Sequence, residues 1–280
     1  MILASVDPDT PTRAASLDGF AREVAGRGEL ILVGDRTPRP TDDPPGLRRV
    51  DAPAGRLVPE LWGDGLRAAD AEFVAFSTTQ MVPSAGWLDG LLGRLVDSDA
   101  WGVGGMIAEA DGLGPVDRAV YLQRFLAYRP GGPIPARPAG ENALYRRHLL
   151  GEREGRAEGF WEAEVQARLE RSGGTWAMAP DAIVTFVGPT GLRAIAGQRV
   201  RHAHRYGALR AGLWSRPARW ARALAAPIVP AVLLARAGRG LRARRMPLGP
   251  WLAATPSFLV IASAWATGEA LGAMAGRPRP

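Results

Sequence analysis

The polar side chains best placed to do chemistry follow two apolar runs of the sequence. Asp35 comes directly after the run at residues 29–34, and the turn Ser-Thr-Thr-Gln at residues 77–80 follows the run at residues 72–76. Parallel sheets bind ligands at the carboxyl ends of their strands. If both runs are strands of such a sheet, Asp35 and this turn lie on one edge, where a ligand can contact them.

The elements that must position these side chains alternate between strand and helix patterns. The front of the chain predicts strands at residues 2–6, 29–34, 49–52 and 72–76, with helices at 13–27 and 57–70. Further on, we predict a strand at 101–107, helices near 117–128 and 159–171, and a strand pair within 174–187. Such alternation indicates βαβ units, an α/β class and a mostly parallel sheet.

Charge divides the chain into an acidic front and a basic rear. Residues 1–181 hold 20 arginines against 27 acids, whereas residues 182–280 hold 15 arginines and one acid, Glu269. The rear arginines alternate with long apolar runs, which is unusual for nucleic-acid-binding tails and typical of contact with lipid. We therefore expect an anionic membrane surface, and no nucleic acid, as a partner of the chain.

Two apolar segments in the rear suggest how the chain meets a membrane. A bilayer span needs about 20 apolar residues, so the short run at 223–235 is expected to be interfacial or re-entrant. The run at 248–275 is long enough either to span or to form a shallow hairpin around Pro256. Gly268, Gly272 and Gly276, spaced four residues apart, predict a smooth face for close helix packing.

Two absences in the sequence bear on its compartment and its metal chemistry. The chain has no cysteine, which excludes disulfides and thiolate metal sites. No signal peptide is visible at the start of the sequence, because the apolar stretch there is too short and lacks basic residues before it. We therefore expect a cell-membrane location with the front domain on the cytoplasmic side.

Four segments stand in an order that is similar to one enzyme family. They are ELILVGD at 29–35, VAFSTTQMVPSAGWLDGLL at 74–92, GENALYRR at 140–147 and GFWEAEVQARLERSGG at 159–174. Together they resemble family-2 glycosyltransferases of the GT-A fold, of the membrane-associated bacterial type. The resemblance covers nearly the whole chain and implies a mixed sheet flanked by helices. It implies a transferase domain at 1–190, a basic amphipathic connector at 191–222 and a membrane-associated helical tail at 223–280.

The resemblance also implies roles for two acidic residues. Asp35 matches the acid that accepts hydrogen bonds from the donor nucleoside, whose base and ribose offer N–H and O–H groups. Glu162 matches the general base that deprotonates the acceptor hydroxyl in an inverting transfer. Glu164, two residues further along a helix, faces elsewhere. The implied reaction moves a sugar from a nucleoside diphosphate sugar to a hydroxyl acceptor.

Three more residues match acceptor-binding positions of that family. Asn142 and Arg146 are expected to contact acceptor or phosphate oxygens, and Trp161 to offer a flat face to a sugar ring. Three of the residues matched to the family also have simpler explanations. Asn142 can satisfy loop backbone, Trp161 can anchor a core, and a residue such as Asp35 at a strand end can be an ordinary turn residue.

The chain departs from the family at the turn after the fourth strand. There Thr79 stands where the family has an acid that holds a divalent cation against the donor diphosphate. Threonine brings no charge to a hard cation, so a Mg²⁺ or Mn²⁺ cofactor, which the resemblance leaves open, would lack its usual ligands, and we assign no metal-binding residue. Arg201, or its neighbour Arg199, is then a candidate to neutralise the diphosphate. Both lie in the segment Gln-Arg-Val-Arg-His at 198–202, which partly resembles a Gln-x-x-Arg-Trp motif.

Three functions remain open from the sequence. The first is a membrane-associated glycosyltransferase with a lipid-linked or polysaccharide acceptor, which the match at Glu162 favours. The second is a catalytically inactive relative that serves as a scaffold or binding subunit, which the acid-free turn favours. The third is a peripheral lipid-binding protein without a nucleotide site.

Overall fold

The computed structural model of the chain describes residues 1–5, 12–34, 43–151, 159–188 and 191–276. Its strands are β1 (Ile2–Ala4), β2 (Leu30–Gly34), β3 (Leu47–Asp51), β4 (Phe73–Thr78), β5 (Met81–Pro83), β6 (Gly102–Glu109), β7 (Ala143–Arg146) and β8 (Trp176–Phe186). Its α-helices are α1 (Thr12–Val24), α2 (Val58–Ala68), α3 (Trp87–Val96), α4 (Pro115–Arg124), α5 (Arg147–Leu150), α6 (Glu162–Arg171), α7 (Leu192–Arg210), α8 (Arg216–Ala225), α9 (Val229–Ala243) and α10 (Leu248–Ala275).

The described strands form one mixed sheet in the order β3-β2-β1-β4-β7-β6-β8-β5. Strands β3, β2, β1 and β4 are parallel, β7 is antiparallel to both β4 and β6, and β8 is parallel to β6. Helices α1, α2 and α3 pack against the sheet. The predicted α/β class, a mixed sheet flanked by helices, is confirmed.

The last predicted strand pair is instead one long strand, β8. Its pairing with β6 jumps from Gly105 opposite Ala179 to Met106 opposite Ile183, so residues 180–182 bulge out of the ladder. Gly105 accommodates this bulge, because a Cβ atom there would lie only 1.9 Å from the carbonyl oxygen of Ala182. The sequence analysis also missed β5, a three-residue strand antiparallel to β8.

Burial of apolar side chains explains how the first helices and strands pack together. Strands β1 and β2 are buried along their whole length, as expected for the middle of a covered parallel sheet. Helix α2 buries Trp62 and Leu66 on the sheet, and Glu60 in its first turn accepts a hydrogen bond from the Leu57 amide (2.9 Å). Phe76 of β4 stacks on Phe160, with 4.3 Å between ring centroids, just before α6 begins. These contacts fix α2, β4 and the start of α6 in one core.

The chain divides into two compact units. The first comprises Met1–Ala110 and Ala127–Gly188, and the second comprises Asp111–Leu126 and Pro189–Pro280. Helix α4, which the sequence analysis placed in the front domain, therefore packs with the C-terminal helices of the second unit.

Within the second unit, α10 packs closely on α7 through glycines. Cβ atoms at Gly268 and Gly272 would lie 2.3 and 2.0 Å from the carbonyl oxygens of Val200 and His204 on α7. The close packing predicted from the glycine spacing is therefore confirmed for Gly268 and Gly272, whereas Gly276 lies just past the end of α10. Helix α10 runs without a break past Pro256, so the alternative of a hairpin around that proline is wrong.

Two helical segments of the second unit are long and apolar enough to cross a membrane. They are Arg216–Ala243 and Leu248–Ala275, each of 28 residues with a mean hydropathy of 1.4. Their burial differs: 6% of the apolar window in the first segment is buried, against 39% in the second. The helix that packs on α7 is thus the more enclosed of the two.

Candidate active site

The polar turn after β4 is buried and held by backbone hydrogen bonds on both sides. On one side, the Thr79 amide donates to the carbonyl of Ala4 at the end of β1 (3.0 Å). On the other, the Ser77 hydroxyl donates to the carbonyl of Glu141 (2.8 Å), and the Trp62 indole donates to the Ser77 carbonyl (2.8 Å). The turn is therefore a fixed junction between β1 and the loop that leads into β7.

The residues at this turn do not fit a divalent cation. The Ser77 hydroxyl is committed to a carbonyl, and the Thr79 side chain is fully enclosed. A hard cation prefers several carboxylate or carbonyl oxygens. Within the described ranges, no group of three or more His, Cys, Asp or Glu residues is arranged to hold a metal. The acid nearest to the turn along this loop is Glu141, which is buried and which the sequence analysis did not single out.

A narrow polar cavity opens at the carboxyl ends of β1, β2 and β3. Its lining includes Ser5 after β1, Gly34 at the end of β2, Asp51 at the end of β3 and Arg13 from α1. Arg13 is 6% exposed, so its guanidinium is held inside the fold near these strand ends. This is the edge on which Asp35 was predicted, but Asp35 lies outside the described residues.

A wider cleft of about 370 Å³ adjoins the same edge. It is lined by Val50, Asp51, Pro53, Arg56, Asp64, Arg67 and Ala68. Asp51 lines both the cleft and the narrow cavity. Arg56 and Arg67 both pair with Asp64, which fixes the far wall of the cleft. The sequence analysis missed Asp51 and Arg13 as site residues, although Asp51 closes a predicted strand on the predicted edge.

Glu162 lies on the other side of the turn, at the first position of α6. Its carboxylate packs over Gly140, where a Cβ atom would lie 2.5 Å from Glu162 Oε2 and 2.9 Å from the Trp62 ring. Two phenols share this surrounding: burial first, and the Glu162 charge second, raise the pKa values of Tyr128 and Tyr145. Glu162 therefore stands beside phenols that keep their protons at neutral pH.

The strand order brings these groups together. In the sheet, β4 lies between β1 and β7. The polar cavity adjoins the end of β1, whereas the Glu162 carboxylate lies over the loop that leads into β7. The link is direct: Glu162 contacts Gly140, and the carbonyl of the next residue, Glu141, accepts the Ser77 hydrogen bond. Glu164 is exposed on α6. The Glu162 carboxylate thus lies beside the loop that holds the turn, and its role as a base stays a prediction.

Asn142 is enclosed in the interior, contrary to the acceptor contact that we expected. It is 0% exposed, its Oδ1 accepts from the Trp87 indole (2.7 Å), and its Nδ2 donates to the carbonyls of Met106 (2.8 Å) and Ala182 (3.0 Å). These bonds tie α3, β6 and the bulge of β8 together. The expected acceptor role is corrected to a supporting one, because no acceptor reaches an enclosed amide.

Arg146 and Trp161 also occupy supporting positions. The Arg146 guanidinium donates to the carbonyls of Leu95 (2.9 Å) and Ala100 (3.2 Å), so it holds the end of α3 and the loop after it. Trp161 is 6% exposed at the position before α6, so its ring offers no open face for a sugar to stack on. The structure therefore favours the core explanation for Trp161 and a structural one for Arg146.

Arg201, the predicted partner of the diphosphate, lies in the second unit. It is exposed on α7, whereas Arg199 on the same helix is 5% exposed. A role for Arg201 in binding the donor diphosphate stays a prediction.

The sequence matches no protein-family model and no curated protein sequence. Its fold is similar to that of the mannosyltransferase PcManGT from Pyrobaculum calidifontis, solved in complex with GDP-Man and Mn²⁺. The two are 18% identical, with 98% of this chain and 73% of that one covered and a TM-score of 0.48. It is also similar to glucosyl-3-phosphoglycerate synthase from Mycobacterium tuberculosis, solved with Mn²⁺, UDP and phosphoglyceric acid. These are 17% identical over 72% of this chain and 75% of that one, with a TM-score of 0.46. A complex of the same synthase with UDP-Glc gives 16% identity, coverage of 72% and 76%, and a TM-score of 0.47.

Proposed function

We propose that this chain is a glycosyltransferase that moves a sugar from a nucleoside diphosphate sugar to a hydroxyl acceptor, with inversion at the anomeric carbon. The observation that supports this most is the place of Glu162. Its carboxylate lies over Gly140, one residue from the carbonyl that holds Ser77 at the carboxyl end of β4. A base at that point faces the edge at which an α/β sheet binds its ligand.

The donor nucleotide would occupy the edge formed by β1, β2 and β3. Asp51 at this edge, and Asp35 by the resemblance, supply carboxylate oxygens for the N–H and O–H groups of base and ribose. Arg13 is a buried cation beside the same strand ends, suited to the charge of a diphosphate. In this proposal Thr79 shapes the floor of the site through its backbone and binds no cation.

The proposed reaction is a single displacement. Glu162 accepts the proton of the acceptor hydroxyl while the hydroxyl oxygen forms a bond to the anomeric carbon. The bond from that carbon to the diphosphate oxygen breaks, and its electron pair leaves with the nucleoside diphosphate. Because the described residues at the turn do not fit a divalent cation, arginine side chains stabilise the leaving charge. Arg13 is the first candidate, and Arg201 the second.

We further propose that the second unit holds the enzyme at the cytoplasmic face of the cell membrane. Nine large apolar side chains between residues 220 and 271 are exposed, and they alternate with arginines. Apolar side chains enter the interface while arginines attract anionic headgroups. A lipid-linked acceptor suits an enzyme at such a surface, since acceptor and enzyme then share one plane.

Exchange of Glu162 for glutamine tests the proposed base. The variant keeps the size and hydrogen bonds of the side chain but loses proton affinity, so we expect turnover to fall by about 10²–10⁴-fold. Glu164→Gln is the matched control, since Glu164 is the exposed neighbour on the same helix and its loss should leave turnover within about twofold of the parent.

The donors to screen are UDP-, GDP- and dTDP-sugars, each with EDTA and with Mn²⁺. Binding by calorimetry and sugar transfer to membrane lipid extracts are measured in parallel. Metal-independent turnover lost only in Glu162→Gln supports the proposal. No binding of any sugar nucleotide under any of these conditions rejects it.

A second function, a scaffold without catalysis, is favoured by the buried, acid-free turn at the end of β4. Such a protein would bind a nucleotide or sugar and transfer nothing. Sugar-nucleotide binding without turnover, or turnover that is equal in the parent and Glu162→Gln, assigns the chain to this class.

A further inference from the structure

The second unit buries a guanidinium that lacks hydrogen bonds at two of its three nitrogens. Arg199 on α7 is 5% exposed, and its Nε and one terminal nitrogen, Nη2, are buried without a hydrogen bond. Buried N–H groups are nearly always hydrogen-bonded, and buried charges are nearly always paired. A positive charge in this state is costly to the fold, which points to a group outside the chain that completes it.

The neighbours of Arg199 are aromatic or basic. Its guanidinium lies 5.8 Å from the centre of the Trp265 ring on α10, and His202 lies against the same ring, with 5.5 Å between centroids. Burial first, then the charges of Arg199 and of Arg124 on α4, lower the pKa of His202 to about 3. The imidazole is therefore neutral at physiological pH, and the cluster carries the positive charge of its arginines.

Glu269 is the one acid in the C-terminal ninety-nine residues of the sequence. Its carboxylate accepts a hydrogen bond from the Trp265 indole (3.0 Å), whereas burial alone lowers the pKa of Arg199, to about 10. A nearby carboxylate would have opposed that lowering. Arg199 therefore lies beside the Trp265 ring, with the neutral imidazole of His202 against the same ring and no counter-charge from Glu269.

We propose that Arg199 binds a phosphate-type oxyanion within the second unit, with His202 and Trp265 forming the wall of the site. An oxyanion accepts the free N–H groups of the guanidinium and is further attracted by Arg124. Trp265 supports the cation through its ring face. The ligand class is a phosphate monoester or diester, whether a free phosphate or the headgroup of a lipid.

The position of the cluster favours a lipid as the source of the phosphate. Helix α10 contributes Trp265 to the site and also exposes Leu252, Val260 and Leu271 on its surface. An alkyl chain attached to the phosphate has an apolar surface of the same unit to lie on. This inference does not depend on sugar transfer, because a chain that transfers nothing would still bind the phosphate.

Thermal unfolding of the full chain, with and without phosphate, tests the site. Inorganic phosphate, decyl phosphate and decanol are the probes, at constant ionic strength in a nonionic detergent. For the parent we expect a saturable rise in Tm of about 5 °C with decyl phosphate. Tighter binding of decyl phosphate than of inorganic phosphate, by tenfold or more, identifies a lipid source, and equal binding identifies free phosphate.

Arg199→Met is the decisive variant, and Arg193→Met is its matched control. Both remove one arginine from α7, but Arg193 is exposed and has no proposed part in binding phosphate. We expect Arg199→Met to lose the phosphate-dependent rise while its Tm without phosphate is equal to or above that of the parent, because an uncompensated buried charge has been removed. Arg193→Met should keep the phosphate response.

Two results would overturn the proposal. One is a parent Tm that phosphate and decyl phosphate leave unchanged. The other is a marked loss of stability in Arg199→Met without phosphate, together with an intact phosphate response, since Arg199 would then be satisfied inside the protein. A further readout is the imidazole signal of His202 by NMR, one of only three histidines in the chain. Its pKa should rise on phosphate binding, because the anion favours the protonated ring.

Discussion

The two units of this chain differ in how many large apolar side chains they expose and in how their most enclosed amides and guanidinium groups are paired. In the first unit the amides of Asn142 and Gln166 are enclosed and hydrogen-bonded to protein. In the second, Arg199 is enclosed with unpaired N–H groups. Among the described residues, eleven large apolar side chains are exposed; two of these, Val96 and Ile134, lie in the first unit and nine in the second.

The clearest difference between the units is therefore their apolar surface. Burial of apolar side chains drives folding in water, and among the described residues the first unit leaves two large apolar side chains exposed against nine in the second. Polar pairing is incomplete in both units, since the buried Ser16 hydroxyl of the first unit also has no hydrogen-bond partner. A lipid surface offers the second unit apolar chains for its exposed side chains and phosphate for its arginines. Sugar chemistry is thus proposed for the first unit and membrane attachment for the second.

The largest effect that tests this contrast is expected from Asn142→Leu. Leucine matches asparagine in size but leaves the Trp87 indole and the carbonyls of Met106 and Ala182 buried without partners. Each unpaired group costs about 1–3 kcal/mol, so we expect the free energy of unfolding of the first unit to fall by about 3 kcal/mol or more. Urea unfolding followed by tryptophan fluorescence measures it.

Gln198→Leu is the control for Asn142→Leu. It makes a similar amide-to-leucine change on a half-buried position of α7, in the second unit, and should change stability by less than about 0.5 kcal/mol. Equal effects of the two substitutions would mean that the first unit does not depend on its enclosed amide network, and the contrast between the units would fail.

Asn142 also belongs to a part of the fold that the sequence does not predict. The βαβ order of the first four strands follows from alternating apolar and amphipathic runs, and all four strands formed close to the predicted positions. The bulge at residues 180–182 follows from no such local pattern. The bulge depends on Gly105 and Asn142, which are both distant from it in sequence. Gly105 leaves room for the bulge, and the Asn142 side chain donates a hydrogen bond to the Ala182 carbonyl. The Asn142 side chain makes three long-range hydrogen bonds, so its role can be recognised only in the folded structure.

The candidate site also combines residues that the sequence singles out with residues that only the structure reveals. Glu162 comes from the segment at 159–174 that carries the resemblance, and its role stays a prediction; the structure places it beside Gly140. Arg13 does not stand out in the sequence, because an arginine on an amphipathic helix normally faces solvent, whereas in the fold it is 6% exposed. Asp51 is the last residue of β3 and lines the cavity at the strand ends.

Acidification is expected to lower the free energy of unfolding of the second unit, by less than Asn142→Leu lowers that of the first. The pKa of His202 is lowered to about 3 in the fold, whereas an unfolded histidine titrates near 6.5. Below about pH 6.5 the unfolded state therefore binds more protons, so stability is full above that pH and falls progressively towards pH 3. At pH 5 the loss attributable to His202 is about 2 kcal/mol. Arg199, Arg124 and Glu269, on three packed helices, are the charged groups around it.

Two variants isolate this pH dependence from that of the carboxylates elsewhere. His202→Phe keeps a ring against Trp265 but cannot be protonated, so its unfolding free energy should fall less steeply between pH 7 and 5 than that of the parent. His204→Phe changes the exposed histidine two residues on and should follow the parent curve. Identical pH curves for the parent and His202→Phe would contradict the half-buried, neutral imidazole.

The smallest expected effect compares one exposed leucine with one exposed valine. Leu224 on α8 is 77% exposed in the second unit, and Val96 at the end of α3 is 66% exposed in the first. If the second unit enters a lipid interface, Leu224→Ser removes a buried side chain from the bound state and weakens binding to phosphatidylglycerol vesicles by about tenfold. Val96→Ser should leave vesicle binding unchanged, because that surface stays in water.

Vesicle sedimentation at 50 and 300 mM salt measures the binding of both variants. Binding of the parent should fall at the higher salt, because arginines attract the headgroups. Equal loss of binding in the two variants would place lipid contact on both units and remove the contrast between them.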